Sequence, residues 1–410
     1  MRGARAVAAD FGTSSAAWSL CYRNTVKTRF PLPEEATLAP YAMSAAKSRG
    51  RRYPEPEHPY RPAFMRDRDR VIHSRAFRRL EYKTQVFVNH EGDHYRTRLT
   101  HSIEVSQIAR TVAHALGLNG DLAECLSLAH DLGHTPFGHL GEDVLQGLMK
   151  EDGGFDHNRQ SLRIVEKIEE RYPDFPGLNL TYETREGIAK HSGVFDPNAC
   201  PEYGDYDANE QPPLEAQMID LVDELAYNHH DVDDGLESRL IDLEELCGSV
   251  ALFEEAVTEA KKRWPSAERH AWINVSLRRV IDRLVSDLIA TTRGRIEASG
   301  VQSIEDVRSA PRPLVGLSED LAAANRQLKR FLNQRLYRHP RIETTRDTYR
   351  RVLIDLFTAY RENPLLLPDS QRRRNADEGT ARLIADYIAG MTDRYALDEH
   401  RRLFGGEPRP

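Results

Sequence analysis

The sequence predicts a mainly helical protein. From Phe64 onward, long charged stretches carry apolar side chains at helical spacing, with no repeated strand alternation and no internal repeat. A chain of 410 residues can bury a large core, either in one large domain or in two or three smaller ones. We therefore expect an all-α fold in which a helical core is followed by additional C-terminal helices.

The first 53 residues do not follow this helical pattern. They are rich in Ala, Ser, Arg and Pro, and prolines recur from Pro31 to Pro62. Because proline lacks a backbone donor and restricts the residue before it, this composition favours an extended chain. We predict a partly disordered arm over residues 1–53 and a helical domain over residues 54–410.

Three segments have the clearest helical pattern. The first covers residues 101–117 and should stop at Gly117, the second begins at Asp121 as N-cap, and the third covers residues 214–230. We expect the second helix to reach His134, because Pro136 and Gly138 would break it there. The three should pack through apolar stripes that include Val105, Val112, Leu122, Leu126, Ile219 and Val222.

Four polar residues share these apolar faces. His101, His130 and Asp223 each lie four residues from an apolar stripe position, and Asp131 follows His130 directly. A buried carboxylate is costly unless a cation or metal compensates it. The nitrogen and oxygen donors suit a divalent ion with open positions, such as Mn, Fe, Co, Ni or Mg. Satisfied core histidines and ordinary ion pairs are the alternative, which the residue pattern alone leaves open.

Composition excludes several classes of protein. A formal net charge of -7 argues against a protein that mainly coats nucleic acid, although it allows a local basic pocket. The scattered cysteines form no Cys-x-x-Cys pair, which argues against a disulfide framework and fits a reducing compartment. We find no signal peptide, no membrane-spanning run and no Gly-x-x-x-x-Gly-Lys loop, and therefore expect a cytoplasmic protein that is not a P-loop NTPase.

Several motifs resemble a known family. His101, the pair His130-Asp131, and Asp223 resemble the H…HD…D signature of the HD phosphohydrolases. Residues 79–87, 98–102, 130–139, 154–158, 223–227 and 386–395 are similar to the deoxyguanosinetriphosphate triphosphohydrolase family, and the likeness runs over residues 38–404. It implies an HD core at about residues 97–235, a C-terminal helical region at residues 236–410, and a metal site formed by those four residues.

The resemblance also implies roles in binding a deoxynucleoside triphosphate. Arg98 would hold phosphate, Gln85 would meet the sugar or base edge, and Tyr227 and Asp231 would meet the 3′-hydroxyl. Around the α-phosphate the resemblance places His134, His139, His157 and Glu142, the last of which would orient His157. Glu142 as a surface ion-pair residue and Gln85 as a loop hydrogen-bonder are the alternatives.

The implied reaction releases intact triphosphate and a deoxynucleoside, with a histidine as general acid. His139 is our first choice, on a turn beyond the metal-binding helix, and His157 is the second. Some relatives carry an acidic residue where Asn158 stands, which puts a catalytic role for that position in doubt. Relatives form dimers that build tetramers or hexamers, so a homo-oligomer is expected, and a dNTP effector is an option.

Two other functions stay open at this stage. An HD nucleotidase or phosphodiesterase would share the metal ligands, but it would not need arginine and histidine groups for three phosphates. A nucleotide-sensing or single-strand nucleic-acid-binding protein would carry the site as a vestige, which the complete H…HD…D set argues against.

Overall fold

A computed structural model describes residues 37–85, 96–191, 195–198, 200–373 and 378–405. Within these ranges the prediction of an all-α fold is confirmed, because paired backbone segments are limited to three isolated bridges. No helix in these ranges is both long and apolar enough to cross a bilayer. The α-helices are α1 (Ala63–Ile72), α2 (Arg75–Arg79), α3 (Arg98–Leu116), α4 (Gly120–Ala129), α5 (His139–Leu148), α6 (His157–Arg163), α7 (Tyr182–Ala189), α8 (Leu214–Glu237), α9 (Leu243–Ser249), α10 (Ala251–Arg263), α11 (Arg269–Ser299), α12 (Ile304–Arg308), α13 (Glu319–Leu332), α14 (Pro340–Glu362), α15 (Asp369–Arg372), α16 (Thr380–Ala389) and α17 (Asp393–Phe404).

Local sequence explains how α3 begins and ends. Thr97 and Thr100 form a capping box, in which each side chain accepts a hydrogen bond from the other's backbone N–H. Gly117 ends the helix in the left-handed conformation, with a φ of 68°, which glycine adopts without a steric penalty. The stop predicted at Gly117 is therefore confirmed.

Helix α4 differs from the prediction at both ends. Its N-cap is Asn119, whose side chain accepts from the backbone N–H of Leu122, so the prediction of Asp121 as N-cap is wrong. Asp121 instead lies in the first turn, where a carboxylate interacts favourably with the helix dipole. The helix ends at Ala129 and not at His134, so the chain turns several residues before Pro136.

The predicted stripes pack together in one large core cluster. Val105 and Val112 of α3, Leu122 of α4 and Val222 of α8 are each 0% exposed in this cluster. Full burial of such a side chain contributes roughly 1.5–3 kcal/mol, so the contacts among α3, α4 and α8 stabilise the region that presents the candidate ligands.

A second hydrophobic cluster holds the histidine-rich segment after α4. It joins Leu140 and Leu145 of α5 to apolar side chains of α14, α16 and α17. Asp393 at the start of α17 accepts hydrogen bonds from the backbone N–H groups of Thr84 and Phe137, both at 2.8 Å. The C-terminal helices therefore fix the turn that leads into α5.

The chain before residue 53 is packed over part of its length. Ala42 and Met43 are 3% and 1% exposed, although we predicted an arm over residues 1–53. Glu215 accepts from the backbone N–H of Met43 at 3.0 Å, and Glu183 accepts from that of Arg49 at 2.7 Å. Proline-rich, irregular backbone can thus be ordered by buried carboxylates. Residues 1–36 of the arm lie outside the described residues.

Candidate active site

The four candidate metal ligands come together from three helices. His101 lies in the first turn of α3, His130 and Asp131 follow α4, and Asp223 lies in the middle of α8. His101 Nε2 is 2.8 Å from Asp223 Oδ1, and His130 Nε2 is 3.4 Å from Asp131 Oδ1 and 3.5 Å from Asp223 Oδ1. His101, His130 and Asp131 are almost fully buried. The packing of α3, α4 and α8 therefore concentrates two imidazoles and two carboxylates in one place.

The end of α4 determines how His130 points. His130 is the C-cap residue, and its Nδ1 lies 2.6 Å from the Ser127 carbonyl oxygen, so this nitrogen is the donor and Nε2 faces the cluster. The chain then passes close to α6: a Cβ on Gly133 would lie 2.2 Å from the His157 carbonyl oxygen. Only glycine fits this approach, which brings the HD pair next to His157.

Electrostatics in the cluster favour a bound cation. Burial disfavours charge on both carboxyls, but Arg98, His130 and His134 hold the pKa of Asp131 well below the usual range. His130 and His101 do the same for Asp223. Burial likewise opposes protonation of His130, yet the two carboxylates raise its pKa to about 9. Without a metal, a proton on His130 compensates the carboxylates. A divalent cation would take over that role and release the proton.

Unsatisfied polar atoms show that these residues fit a metal and a polar ligand. His130 Nε2 is buried and has no hydrogen-bond partner. The same holds for four further side-chain atoms of predicted site residues and their neighbours: Arg98 Nη2, His134 Nδ1, Gln85 Oε1 and Asn158 Oδ1. Each such atom costs about 1–3 kcal/mol unless a ligand or water satisfies it. The donor set contains nitrogen and oxygen but no thiolate, which suits Mn, Fe, Co, Ni or Mg with positions open for water and phosphate.

Arg98 is fixed so that one side of its guanidinium stays available. It is 1% exposed, its Nη1 donates to Asp131 Oδ2 at 3.0 Å, and its Nε donates to the Thr84 carbonyl oxygen at 3.0 Å. Nη2 has no partner. Because two bonds hold the plane of the group, Nη2 could donate to a phosphate oxygen without losing an existing contact.

A second group of imidazoles borders the metal cluster. His134 Nε2 lies 3.1 Å from Asp131 Oδ1, and the ring of His134 stacks on that of His157 with centroids 4.1 Å apart. His157 Nδ1 lies 2.7 Å from Glu142 Oε1, which matches the orienting contact expected of Glu142. Burial, Arg98 and His157 push the pKa of His134 well below its usual range, whereas Glu142 outweighs burial and raises that of His157.

His139 is placed differently from our prediction. It is the first residue of α5, because Gly138 takes a positive φ of 62° and ends the turn one residue earlier. The expectation that His139 lies on a turn is therefore wrong. Its side chain is 56% exposed, and its Nδ1 is 3.7 Å from Glu142 Oε2. His139 is thus the most accessible imidazole of this group.

A cavity of about 480 Å³ lies next to these imidazoles. Its lining includes three of the predicted site residues, Gln85, His139 and Tyr227, and the cationic side chains of Lys329, Arg341 and Arg346. Its size and charge suit a nucleotide with several phosphates.

Tyr337 also lines this cavity, and sequence reasoning missed it. It ends a π-helical segment (Asn333–Tyr337), and its hydroxyl donates to Asp231, which is 1% exposed. The two Tyr rings of residues 227 and 337 are 6.3 Å apart. A π-helical turn often marks a functional position, but it has no sequence signature that would have identified Tyr337 in advance.

Two buried histidines beside the ligands were not assigned roles from the sequence. His230 Nδ1 lies 3.2 Å from His101 Nδ1, and its Nε2 contacts Glu104. His191 follows α7, and Asn158 donates from Nδ2 to its carbonyl oxygen at 2.6 Å. Asn158 thus has a structural contact at the position where some relatives carry an acid.

Comparisons with known proteins agree with this geometry. An HD domain matches residues 98–228, and a phosphohydrolase-associated domain matches residues 315–402. A deoxyguanosinetriphosphate triphosphohydrolase-like protein of Ralstonia nicotianae is 54% identical over 379 residues, which cover 92% of this chain and 97% of that relative. Proteins of the same description from Thiobacillus denitrificans and Geobacter sulfurreducens are 51% identical, over 91% and 90% of this chain and 99% and 96% of the relatives. The chain is an HD hydrolase and belongs to the deoxyguanosinetriphosphate triphosphohydrolase-like family.

Proposed function

We propose that this chain hydrolyses deoxynucleoside triphosphates, dGTP among them, to a deoxynucleoside and inorganic triphosphate in a metal-dependent reaction. One observation carries the proposal: a His/Asp cluster with unsatisfied inward atoms lies beside a cavity of about 480 Å³ that is lined by Lys329, Arg341 and Arg346.

His101, His130, Asp131 and Asp223 would hold the divalent cation. A bound Mn, Fe, Co, Ni or Mg ion supplies a water of lowered pKa and polarises a phosphoryl oxygen. Asp131 and Asp223 remain charged at neutral pH, since cationic neighbours outweigh their burial and hold their pKa values low. Arg98 fixes Asp131 through Nη1 and presents Nη2 to a phosphate oxygen.

The buried histidines would bind the α-phosphate in different charge states. Burial keeps His134 neutral, because its pKa is well below the usual range, and its single N–H, at Nε2, donates to Asp131 Oδ1. Its Nδ1 therefore has a lone pair and could accept a hydrogen bond from a water or hydroxyl beside the α-phosphate. His157 is protonated more readily, since the carboxylate of Glu142 raises its pKa against the effect of burial. A cationic His157 beside a neutral His134 would stabilise negative charge that develops on the α-phosphate.

Loss of the 5′-oxygen requires a proton. Water adds to the α-phosphorus, the bond from this phosphorus to O5′ breaks, and the electron pair leaves with O5′. The water's protons pass to the site and to solvent, while a histidine protonates O5′. His139 suits this role because it borders the cavity and is accessible enough to be reprotonated by water, and His157 is the second candidate.

The sugar would lie between Tyr227 and Asp231. Tyr227 lines the cavity, and Asp231 accepts a hydrogen bond from the hydroxyl of Tyr337, which also lines it. Gln85 also lines the cavity, and its buried Oε1 has no partner, which suits a contact to the sugar or base edge. A dNTP effector and a dimer-based tetramer or hexamer stay predictions.

Product analysis tests the proposal. The metal-loaded protein is incubated with each dNTP alone and in mixtures, in water enriched in oxygen-18, and the products are separated by ion-exchange chromatography. We expect deoxynucleoside and tripolyphosphate, with the heavy oxygen in the tripolyphosphate because attack is at phosphorus. Pyrophosphate with a deoxynucleoside monophosphate, or orthophosphate, would show that a phosphoanhydride bond breaks instead of the bond to O5′. Hydrolysis of monophosphates alone would favour the HD nucleotidase, and salt-sensitive binding of single strands without turnover would favour a nucleic-acid-binding protein.

A further inference from the structure

We propose that His191 is a further ligand of the divalent ion held by the His/Asp cluster, through its Nε2 atom. The inference rests on the metal binding in the proposed function but not on any particular substrate. It adds a third imidazole to a set in which the sequence motif supplies only His101 and His130.

The backbone holds His191 firmly against the cluster. The residue follows the end of α7, it is 4% exposed, and its carbonyl oxygen accepts from Asn158 Nδ2 at 2.6 Å. Its ring lies edge-on to that of His130, with centroids 5.3 Å apart. An imidazole buried this deeply needs polar partners for both ring nitrogens.

Asp220 satisfies one of those nitrogens. Its Oδ1 lies 2.5 Å from His191 Nδ1, so Nδ1 carries the hydrogen and donates it to the carboxylate. In the neutral ring, Nε2 then keeps its lone pair. A carboxylate that fixes a histidine in this way is the usual outer partner of a metal-bound imidazole.

Distances place the second ring nitrogen, Nε2, where it could share an ion with Asp223. His191 Nε2 is 3.9 Å from Asp223 Oδ2, which is too long for a hydrogen bond. Two atoms bound to one ion at about 2.1 Å each can be up to about 4.2 Å apart, so 3.9 Å fits shared coordination. The other carboxylate oxygen of Asp223 already faces His101 and His130.

The ligand atoms also form a compact set. One atom each from His130, His191 and Asp223 lie within 4.8 Å of one another, as do one each from His101, His130 and Asp131. The two sets share His130. A single ion bound to Nε2 of His130 could therefore also bind His191, which follows α7, and His101, which lies in α3.

Metal binding of variants tests the inference. We would load wild type, His191→Ala and Asp220→Asn with Mn²⁺ or Co²⁺, and use His270→Ala, an exposed histidine of α11, as the matched control. Metal content and the dissociation constant from chelator competition are the first readouts. We expect about a 10- to 100-fold weaker affinity in Asp220→Asn and at least that in His191→Ala, with the control unchanged.

X-ray absorption at the metal edge gives the decisive count of imidazoles. We expect three in the wild type and two in His191→Ala. Two imidazoles in the wild type would overturn the inference even if His191→Ala did not fold, and so would unchanged affinity in a folded His191→Ala variant. Failure of the proposed function is distinguishable, since it would leave three imidazoles on the metal and produce no tripolyphosphate.

Discussion

Three of the acidic residues in helix α8, Glu215, Asp223 and Asp231, are spaced eight residues apart. The surroundings of the first and the last differ from those of Asp223 in the middle of the helix. Glu215 in the first turn is 0% exposed and accepts only backbone N–H groups, from Met43 and Asn119. Burial outweighs these two bonds and raises its pKa to about 7. Asp223 in the middle faces His101 and His130, which outweigh burial and hold its pKa well below the usual range.

The pKa of Asp231, near the other end of α8, is shifted in the same direction as that of Glu215 and in the opposite direction to that of Asp223. It is buried, and that burial raises its pKa well above the usual range although Tyr337 donates a hydrogen bond to it. With neutral donors, therefore, burial raises the pKa of a carboxyl, whereas with imidazole partners the pKa of a buried carboxyl is lowered. The comparison teaches that depth in the core does not decide which acid can bind a metal; the charge of its partners does.

The largest expected effect follows from removing the charged carboxylate. Asp223→Ala, and likewise His130→Ala and Asp131→Ala, should lose the metal and reduce hydrolysis to background, because a bound ion contributes several kcal/mol to the transition state. Metal content by mass spectrometry and dNTP turnover are the measurements. Glu237→Ala, at the exposed end of the same helix, is the control. Normal metal stoichiometry with full activity in any of the three variants would contradict the assignment.

The same comparison applies to imidazoles. His139 is exposed and 3.7 Å from Glu142, whereas His157 is half-buried and 2.7 Å from it. We expect His139→Ala to keep the metal and bind substrate but to lose about two to four decades in turnover, as for a general acid. His157→Ala should weaken phosphate binding as well. The measurements are kcat, KM and metal content. If His139→Ala turned over normally while His157→Ala did not, the two roles would be exchanged.

Glu215 should make folding stability depend on pH. Its pKa of about 7 in the folded chain exceeds the ordinary 4.5, so its stabilising contribution is complete below pH 4.5 and is lost as the pH rises through 7. Glu215→Gln keeps the acceptor for both N–H groups but cannot ionise. Relative to wild type, the variant should gain up to about 3 kcal/mol in free energy of unfolding between pH 5 and pH 8.

Urea unfolding of both proteins at several pH values measures this change, and the difference between them removes the contribution of other titrating groups. A difference that stayed constant from pH 5 to pH 8 would show that Glu215 is charged in the folded chain. Burial with neutral donors would then not suffice to protonate a carboxyl here.

The smallest expected effect concerns the sugar. If Tyr227 and Asp231 frame the deoxyribose, a 2′-hydroxyl lacks a partner there, which costs about 1–3 kcal/mol, or roughly one to two decades in kcat/KM. The ratio of kcat/KM for dGTP to that for GTP is the measurement, and Asp231→Ala should reduce this ratio. Equal efficiencies for the two nucleotides in the wild type would remove these residues from sugar selection.

Helical periodicity was enough to predict the architecture around the site. The stripes through Val105, Leu122 and Val222 carried the prediction of three packed helices, and the same spacing indicated the inward side of His101 and Asp223. A helix has a regular period, so the face of each residue follows from local sequence.

The tertiary structure alone decided the rest. Nothing in the sequence near His191 or Tyr337 indicates that these side chains lie close to Asp223 and Asp231, respectively. Each pair joins two distant segments of the chain, and helical periodicity predicts only which residues of one helix share a face. The end of α4 at Ala129 and the start of α5 at His139 depend on Gly133 packing against α6 and on Gly138 turning the backbone. The sequence by itself determined which faces carry polar groups, whereas long-range packing determined which of those groups meet and therefore which remain charged.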